Sequence, residues 1–227
     1  MDVFGSALTD VFNNNAGDIL WIHNNYDEKE EMPVDVFFRS ADEMPPLETL
    51  AMNLCKGKIL DAGAGAGSHS LVLQNYGHDV TALEISGKAC SIMQSRGIRK
   101  VINQNFYAHD ERYDTILLLM NGLGLAGSLE NLGLFLDRCS VLLNPEGRIL
   151  FDSSDISYLY QEIALPENGY FGDIKYCYEY KNLMGNWFDW LYIDMETLST
   201  VAEKKGWTLE ILFEDEHDQY LGMLQLK

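Results

Sequence analysis

Residues 57–84 constrain this chain more than any other stretch. They open Gly-Lys-Ile-Leu-Asp-Ala-Gly-Ala-Gly-Ala-Gly-Ser-His and, after a run of helical character, close Asp-Val-Thr-Ala-Leu-Glu. Ile59 and Leu60 suit a short buried strand. Gly63, Gly65 and Gly67 follow at once, and Ser68 can cap a helix reaching about residue 76. A second strand over 80–83 ends on Glu84. Strand, glycine turn, helix, strand, acid is the first half of a nucleotide-binding α/β unit. Each part has a physical reason. Glycine admits positive φ and leaves room where a Cβ would clash with a ligand. The helix start offers unpaired N–H groups to polar ligand atoms. A carboxylate at the second strand's end can accept both hydroxyls of a ribose.

Two ligand classes use this layout. Dinucleotide enzymes want G-x-G-x-x-G/A, whose sixth position here is Ser68, a poor fit. The spacing is instead Asp-x-Gly-x-Gly-x-Gly, with Asp61 at the first strand's end. A pyrophosphate is repelled by a carboxylate there, whereas a ligand carrying an ammonium group is attracted. In Asp61, Gly63, Gly65, Gly67 and Glu84 the sequence resembles the class I S-adenosylmethionine-dependent methyltransferase family.

The resemblance implies a Rossmann-like, doubly wound α/β sheet of about seven strands, the last of them antiparallel. It also implies S-adenosylmethionine as cofactor, bound by Asp61, Gly63, Ala64, Gly65, Gly67, Glu84 and Ile85. Further along, a third strand at 101–102 leads into Asn105 and Phe106. The family places an acid for the adenine amino group there, beside an apolar neighbour. Asn105 is a departure, though its amide oxygen can still accept; an ordinary strand-end loop is the competing reading. The run 113–120 is the clearest buried central strand, and it ends on Met120, Asn121 and Gly122. Ligands bind at such carboxyl ends, so Met120 and Asn121 join the cofactor set and Asn121 also the catalytic candidates. Asn121 lacks the Pro-Pro-aromatic sequel of members that methylate nucleic-acid amino groups.

The rest of the chain fits around this unit. Residues 1–43 precede it as a segment that the resemblance makes a lid, with Phe37, Phe38 and Arg39 as its contacts; residues 33–38 read as extended. Residues 44–227 form the methyltransferase domain. Within it, helices are expected over about 44–55, 86–96, 128–143 and 194–205, a turn at 144–147 and a strand at 148–151. Residues 154–194 are dense in aromatics and read as an inserted β-hairpin turning at Met184-Gly185-Asn186. Tyr176, Tyr178 and Tyr180 share one strand face, and Phe188, Trp190 and Tyr192 the return face. Such an insertion commonly shapes the family's substrate pocket, so Arg39, Tyr178 and Trp190 are the substrate contacts expected. The aromatic stripe equally suits simple packing of the hairpin. Strands over 208–213 and 220–226 close the sheet as an antiparallel pair.

Composition narrows the acceptor. Asp and Glu number 35 against 16 Lys and Arg, a net charge of −19 over 227 residues, partly gathered at 27–31 and 214–218. Phosphate backbones are repelled by such a surface, so a small-molecule acceptor is expected rather than nucleic acid. The four widely spaced cysteines show no metal spacing and suit a reduced, cytoplasmic protein. No membrane segment and no metal centre are expected. A general base is optional in this chemistry; Asp152, Asp155 and His69 are its candidates, and Asp152, Asn121 and His69 are the residues singled out for a catalytic role. A nicotinamide-dependent oxidoreductase and a non-catalytic S-adenosylmethionine-binding protein are the alternatives.

Overall fold

The computed structural model describes residues 1–15, 17–26, 28–160 and 169–227. Residue 27 of the acidic cluster and residues 161–168 of the expected insertion lie outside the described residues. In chain order the elements begin with α1 (Val3–Phe12), β1 (Trp21–His23), β2 (Glu30–Glu31), α2 (Pro46–Leu54), β3 (Lys58–Ala62), α3 (Ser68–Asn75), β4 (Asp79–Glu84) and α4 (Gly87–Ser95). They continue with β5 (Val101–Asn103), β6 (Tyr113–Leu118), α5 (Leu129–Leu142), β7 (Leu143–Ser154), β8 (Asp173–Tyr180), β9 (Leu183–Met184), β10 (Phe188–Leu191), α6 (Met195–Lys204), β11 (Trp207–Glu214) and β12 (Gln219–Leu226).

The large sheet has seven strands in the order β11-β12-β7-β6-β3-β4-β5. β7, β6, β3, β4 and β5 run parallel, and β12 inserts antiparallel to both β7 and β11. Successive side chains of its central strands alternate between two covered faces, which is why Ile59–Leu60, Ile116–Leu118 and Ile149–Phe151 are apolar runs. Ile59, Leu117 and Leu150 face a cluster with Leu47, Ala51 and Met52 of α2 and Leu73 of α3. Leu60, Ile116, Leu118 and Phe151 face the opposite way, against Phe135 and Leu136 of α5 and Leu198 of α6.

A second, antiparallel sheet runs β10-β8-β1-β2, with β9 also paired to β8. The expected hairpin is thus part of a larger unit that recruits the N-terminal segment: Ile22 pairs with Tyr178. The reversal falls at Lys181 and Asn182, both at positive φ (52° and 60°), between the paired Tyr180 and Leu183. Such a two-residue turn matches strand twist, so it displaces the expected Met184-Gly185-Asn186 bend.

Three smaller expectations are also corrected. Residues Asp35–Phe38 form a 3-10 turn rather than an extended run. The 144–147 turn is absorbed into β7, where Glu146 sits at φ 62° beside a register shift against β6. Ser68 is not the cap of α3. Gly67, at φ 82°, holds that place, and the Ser68 hydroxyl donates to the Phe37 carbonyl at 2.7 Å.

Candidate active site

The two sheets face each other across one cavity of about 760 Å³. Its polar end is the glycine turn between β3 and α3. Gly63 and Ala64 donate their N–H groups to the Leu83 carbonyl at 2.9 and 3.1 Å, which ties the turn to β4. Gly63 and Gly65 sit at φ 77° and 55°, where a side chain would be strained. An atom at the Cβ position of Gly65 would touch the Phe37 ring at 3.4 Å, so Phe37 lies over the turn.

Glu84 is buried at the end of β4. Its two oxygens accept from Ser86 N at 2.8 Å and Gly65 N at 2.9 Å. Burial raises its pKa, and these N–H groups oppose the rise. Asp61, at the end of β3, is 3 % exposed. Burial raises its pKa as well, against the Ser70 hydroxyl that donates to Oδ2 at 2.6 Å. Ile85 lines the same end, 69 % exposed and so unusually bare for an isoleucine. Asn105 and Phe106 border it too. Asn105 spends its amide oxygen on Tyr107 N at 2.8 Å, and Phe106 stacks on Phe135 at 5.1 Å.

The aromatic end belongs to the small sheet. Tyr176, Tyr178, Phe188, Trp190 and Tyr192 all line the cavity. Tyr178 stacks on Phe4 at 5.3 Å, and Phe4 meets Phe37 edge-on at 5.0 Å, so rings run from the glycine turn to Trp190. A Cβ on Gly124, in the 3-10 turn after β6, would overlap the Trp190 indole. Tyr180, the third of its strand face, instead packs against Val3 and Ala7.

Several residues expected at the site lie elsewhere. Arg39 does not line the cavity; its Nη2 donates to Glu48 Oε1 at 2.6 Å. Gly67 is behind the turn, with Ile98 and Met93 against it. Asn121, at φ 55°, turns its side chain to Ser154 Oγ, 3.1 Å away. Asp152 lies beneath that bend, accepting from Gly122 N at 3.4 Å and Gln219 Nε2 at 2.9 Å. Burial pushes its pKa up to about 6. Neither Asn121 nor Asp152 lines the cavity, whereas Met120 and His69 do. Sequence reasoning missed the start of α1, where Asp2 caps the helix and also accepts from Ser86 Oγ at 2.7 Å. It also missed Leu125, which packs over Gly63.

Comparison with known proteins decides the family. A methyltransferase-domain family model matches residues 60–151. The structure superposes on an S-adenosylmethionine-dependent methyltransferase from Bacteroides fragilis, solved with S-adenosyl-L-homocysteine, with a TM-score of 0.93 and 38 % identity. That match covers 99 % of this chain and 94 % of the other. The chain belongs to the class I S-adenosylmethionine-dependent methyltransferase family. This methyltransferase shares its fold, at 14 % identity and a TM-score of 0.62, with the CcbJ methyltransferase from Streptomyces caelestis, over 83 % of this chain and 99 % of that one. The sugar N-methyltransferase KedS8 from Streptoalloteichus aligns at 14 % identity and a TM-score of 0.58, over 89 % of this chain and 96 % of that one. No curated protein matches the sequence. S-adenosylmethionine is therefore the cofactor, and the nicotinamide reading of the glycine turn is set aside. Among the described residues, no helix of the methyltransferase is long and apolar enough to cross a membrane.

Proposed function

We propose that this methyltransferase acts on a small molecule held against the aromatic sheet, with the cofactor lying along the glycine turn. The carrying observation is the single cavity that joins a carboxylate-flanked turn to a wall of rings. Its volume of about 760 Å³ falls in the upper part of the roughly 300–1,000 Å³ range of ligand sites, which suits two modest ligands side by side.

The residues fit S-adenosylmethionine. Each Glu84 oxygen accepts one backbone N–H, leaving lone pairs for two ribose hydroxyls. Bare Ile85 and the Phe106 ring, both lining the cavity, suit the faces of a purine. Asp61 suits an ammonium group. Bound cofactor supplies a methyl group already activated on a sulfonium. The protein's task is then to orient the acceptor for in-line displacement and to exclude water, which Tyr178, Phe188 and Trp190 can do from one side and Phe37 from the other. On this reading residues 1–43 serve as the lid over residues 44–227.

The lining side chains include Asp2, Asp61, Glu84 and Asp189, and among the described residues no Lys or Arg. That balance favours neutral or cationic acceptors over acids, and with the net charge of −19 it disfavours nucleic acid. We place the protein in the cytoplasm on its four scattered cysteines, all buried. Incubation with methyl-labelled cofactor and a panel of small amines, alcohols and thiols tests the proposal. Label should pass to a small molecule. Transfer to nucleic acid or protein alone, or no transfer to any acceptor, would overturn it, the last outcome favouring a binding protein without catalysis.

A further inference from the structure

His69 has surroundings that packing alone does not require. It stands in the first turn of α3, directly after the glycine turn, and its ring lines the cavity while the residue is 7 % exposed. Nε2 bonds to Glu48 Oε2 at 2.8 Å, and the other oxygen of Glu48 takes Arg39 Nη2 at 2.6 Å. One ring nitrogen is thus taken by Glu48, and Nδ1 is the nitrogen left to meet a ligand. Among the described residues lining the cavity, His69 has the only side chain able to carry a positive charge. A carboxylate entering there meets the side chains of Asp2, Asp61, Glu84 and Asp189, and this one side chain that can be cationic.

S-adenosylmethionine brings such a carboxylate. Its amino-acid end is a zwitterion, and Asp61 already suits the ammonium. We propose that His69 receives the α-carboxylate of the cofactor through Nδ1, with Glu48 and Arg39 as positioning residues that hold the ring charged and aimed. The first N–H groups of α3 add positive potential at the same place. The protonation state agrees. Burial alone lowers the imidazole pKa, but the bond to Glu48 and the charges of Asp61, Glu48 and Asp152 lift it above its ordinary value. Glu48 correspondingly stays ionised: burial raises its pKa, and His69 and Arg39 together bring it below the usual range. Arg39, expected from sequence as a substrate contact, thus acts two residues away from the ligand. The inference is independent of which acceptor is methylated.

Calorimetric titration of wild type and His69→Gln at neutral pH tests it, using S-adenosylhomocysteine and 5′-methylthioadenosine, which lacks the amino-acid end. The variant should bind S-adenosylhomocysteine about 10- to 100-fold more weakly, the size of a charge-assisted hydrogen bond, and bind 5′-methylthioadenosine within about 2-fold of wild type. Glu48→Gln should show the same pattern, smaller. Decarboxylated S-adenosylmethionine should bind both proteins alike. Equal losses on all ligands would make His69 merely structural, and an unchanged affinity for S-adenosylhomocysteine would make it a base or a bystander; either overturns the proposal. Absence of binding by wild type would defeat the cofactor assignment itself. If His69→Gln does not fold, nitrogen-labelled histidine spectra of wild type decide. One ring should respond to S-adenosylhomocysteine and not to 5′-methylthioadenosine, and no such ring overturns the proposal.

Discussion

The two walls of the cavity are assembled in different ways. On the large-sheet side, the turn, the carboxylates and the helix start arrive within one continuous stretch, from Asp61 to Glu84, and local geometry fixes them. Glu84 bonds directly to the turn it serves. On the small-sheet side, β1 and β8 must meet from opposite ends of the chain: His23 and Glu179, 2.7 Å apart in space, are 156 residues apart in sequence. The first wall needs backbone conformation at a few glycines. The second needs long-range strand pairing and ring packing; alternate spacing sets which rings share a face, but not which strands meet. On the proposed function, the cofactor wall should therefore fail through backbone changes, and the acceptor wall through loss of side-chain volume.

The largest expected effect is at Trp190. Trp190→Ala should lower kcat/KM about 100-fold through loss of acceptor alignment, while the affinity for S-adenosylhomocysteine changes little. A matching loss of cofactor affinity would mean that the walls are not separable.

Asp152 supports the bend at the end of β6, between the two walls. Its folded pKa of about 6 lies above that of an unfolded aspartate, so its stabilising contribution is full below about pH 4 and is lost as pH rises through 6. Asp152→Asn should make the protein more stable than wild type at pH 8, by about 2 kcal/mol, with the advantage gone by about pH 4. Thermal unfolding across that range measures it. An advantage independent of pH would assign the effect to packing instead.

Phe37→Ala should weaken S-adenosylhomocysteine binding by about 10-fold by uncovering the glycine turn, with kcat affected less. No change in affinity would remove the lid role from this segment. The smallest effect is expected at the β8–β9 turn. Asn182→Ala puts alanine at φ 60° and should cost about 1 kcal/mol of stability, with cofactor affinity unchanged and Asn182→Gly tolerated.

The same division explains what could be read in the sequence. Asp61, the glycines and Glu84 form a pattern with a mechanism at every position, and the covered parallel strands are written as apolar runs such as Ile116–Leu118. The antiparallel β12 was legible because two strands remained after α6. The partners of β8 were not: Trp21–His23 is three residues long, and no local signal says that Ile22 will lie beside Tyr178. Phe4 and Asp2 sit in a helix without a motif, so their place at the cavity emerges only from tertiary packing. Arg39 was misplaced for the converse reason. A guanidinium near an expected lid looks like a ligand contact until Glu48, nine residues on, claims it at 2.6 Å. Asn121 and Asp152 sit at the correct strand ends, but the Asn121 amide oxygen accepts from Ser154, and the Asp152 oxygens accept from Gly122 and Gln219.

The central claim is that bare backbone at Gly65 lets the cofactor lie against the turn, and calorimetry with S-adenosylhomocysteine tests it most directly. Wild type should bind in a saturable one-to-one manner, and Gly65→Val, which forces a β-branched residue to φ 55° and fills the ligand's path, should bind more than about 100-fold more weakly while remaining folded. Equal affinity in the two proteins, or no binding by wild type, would contradict the account.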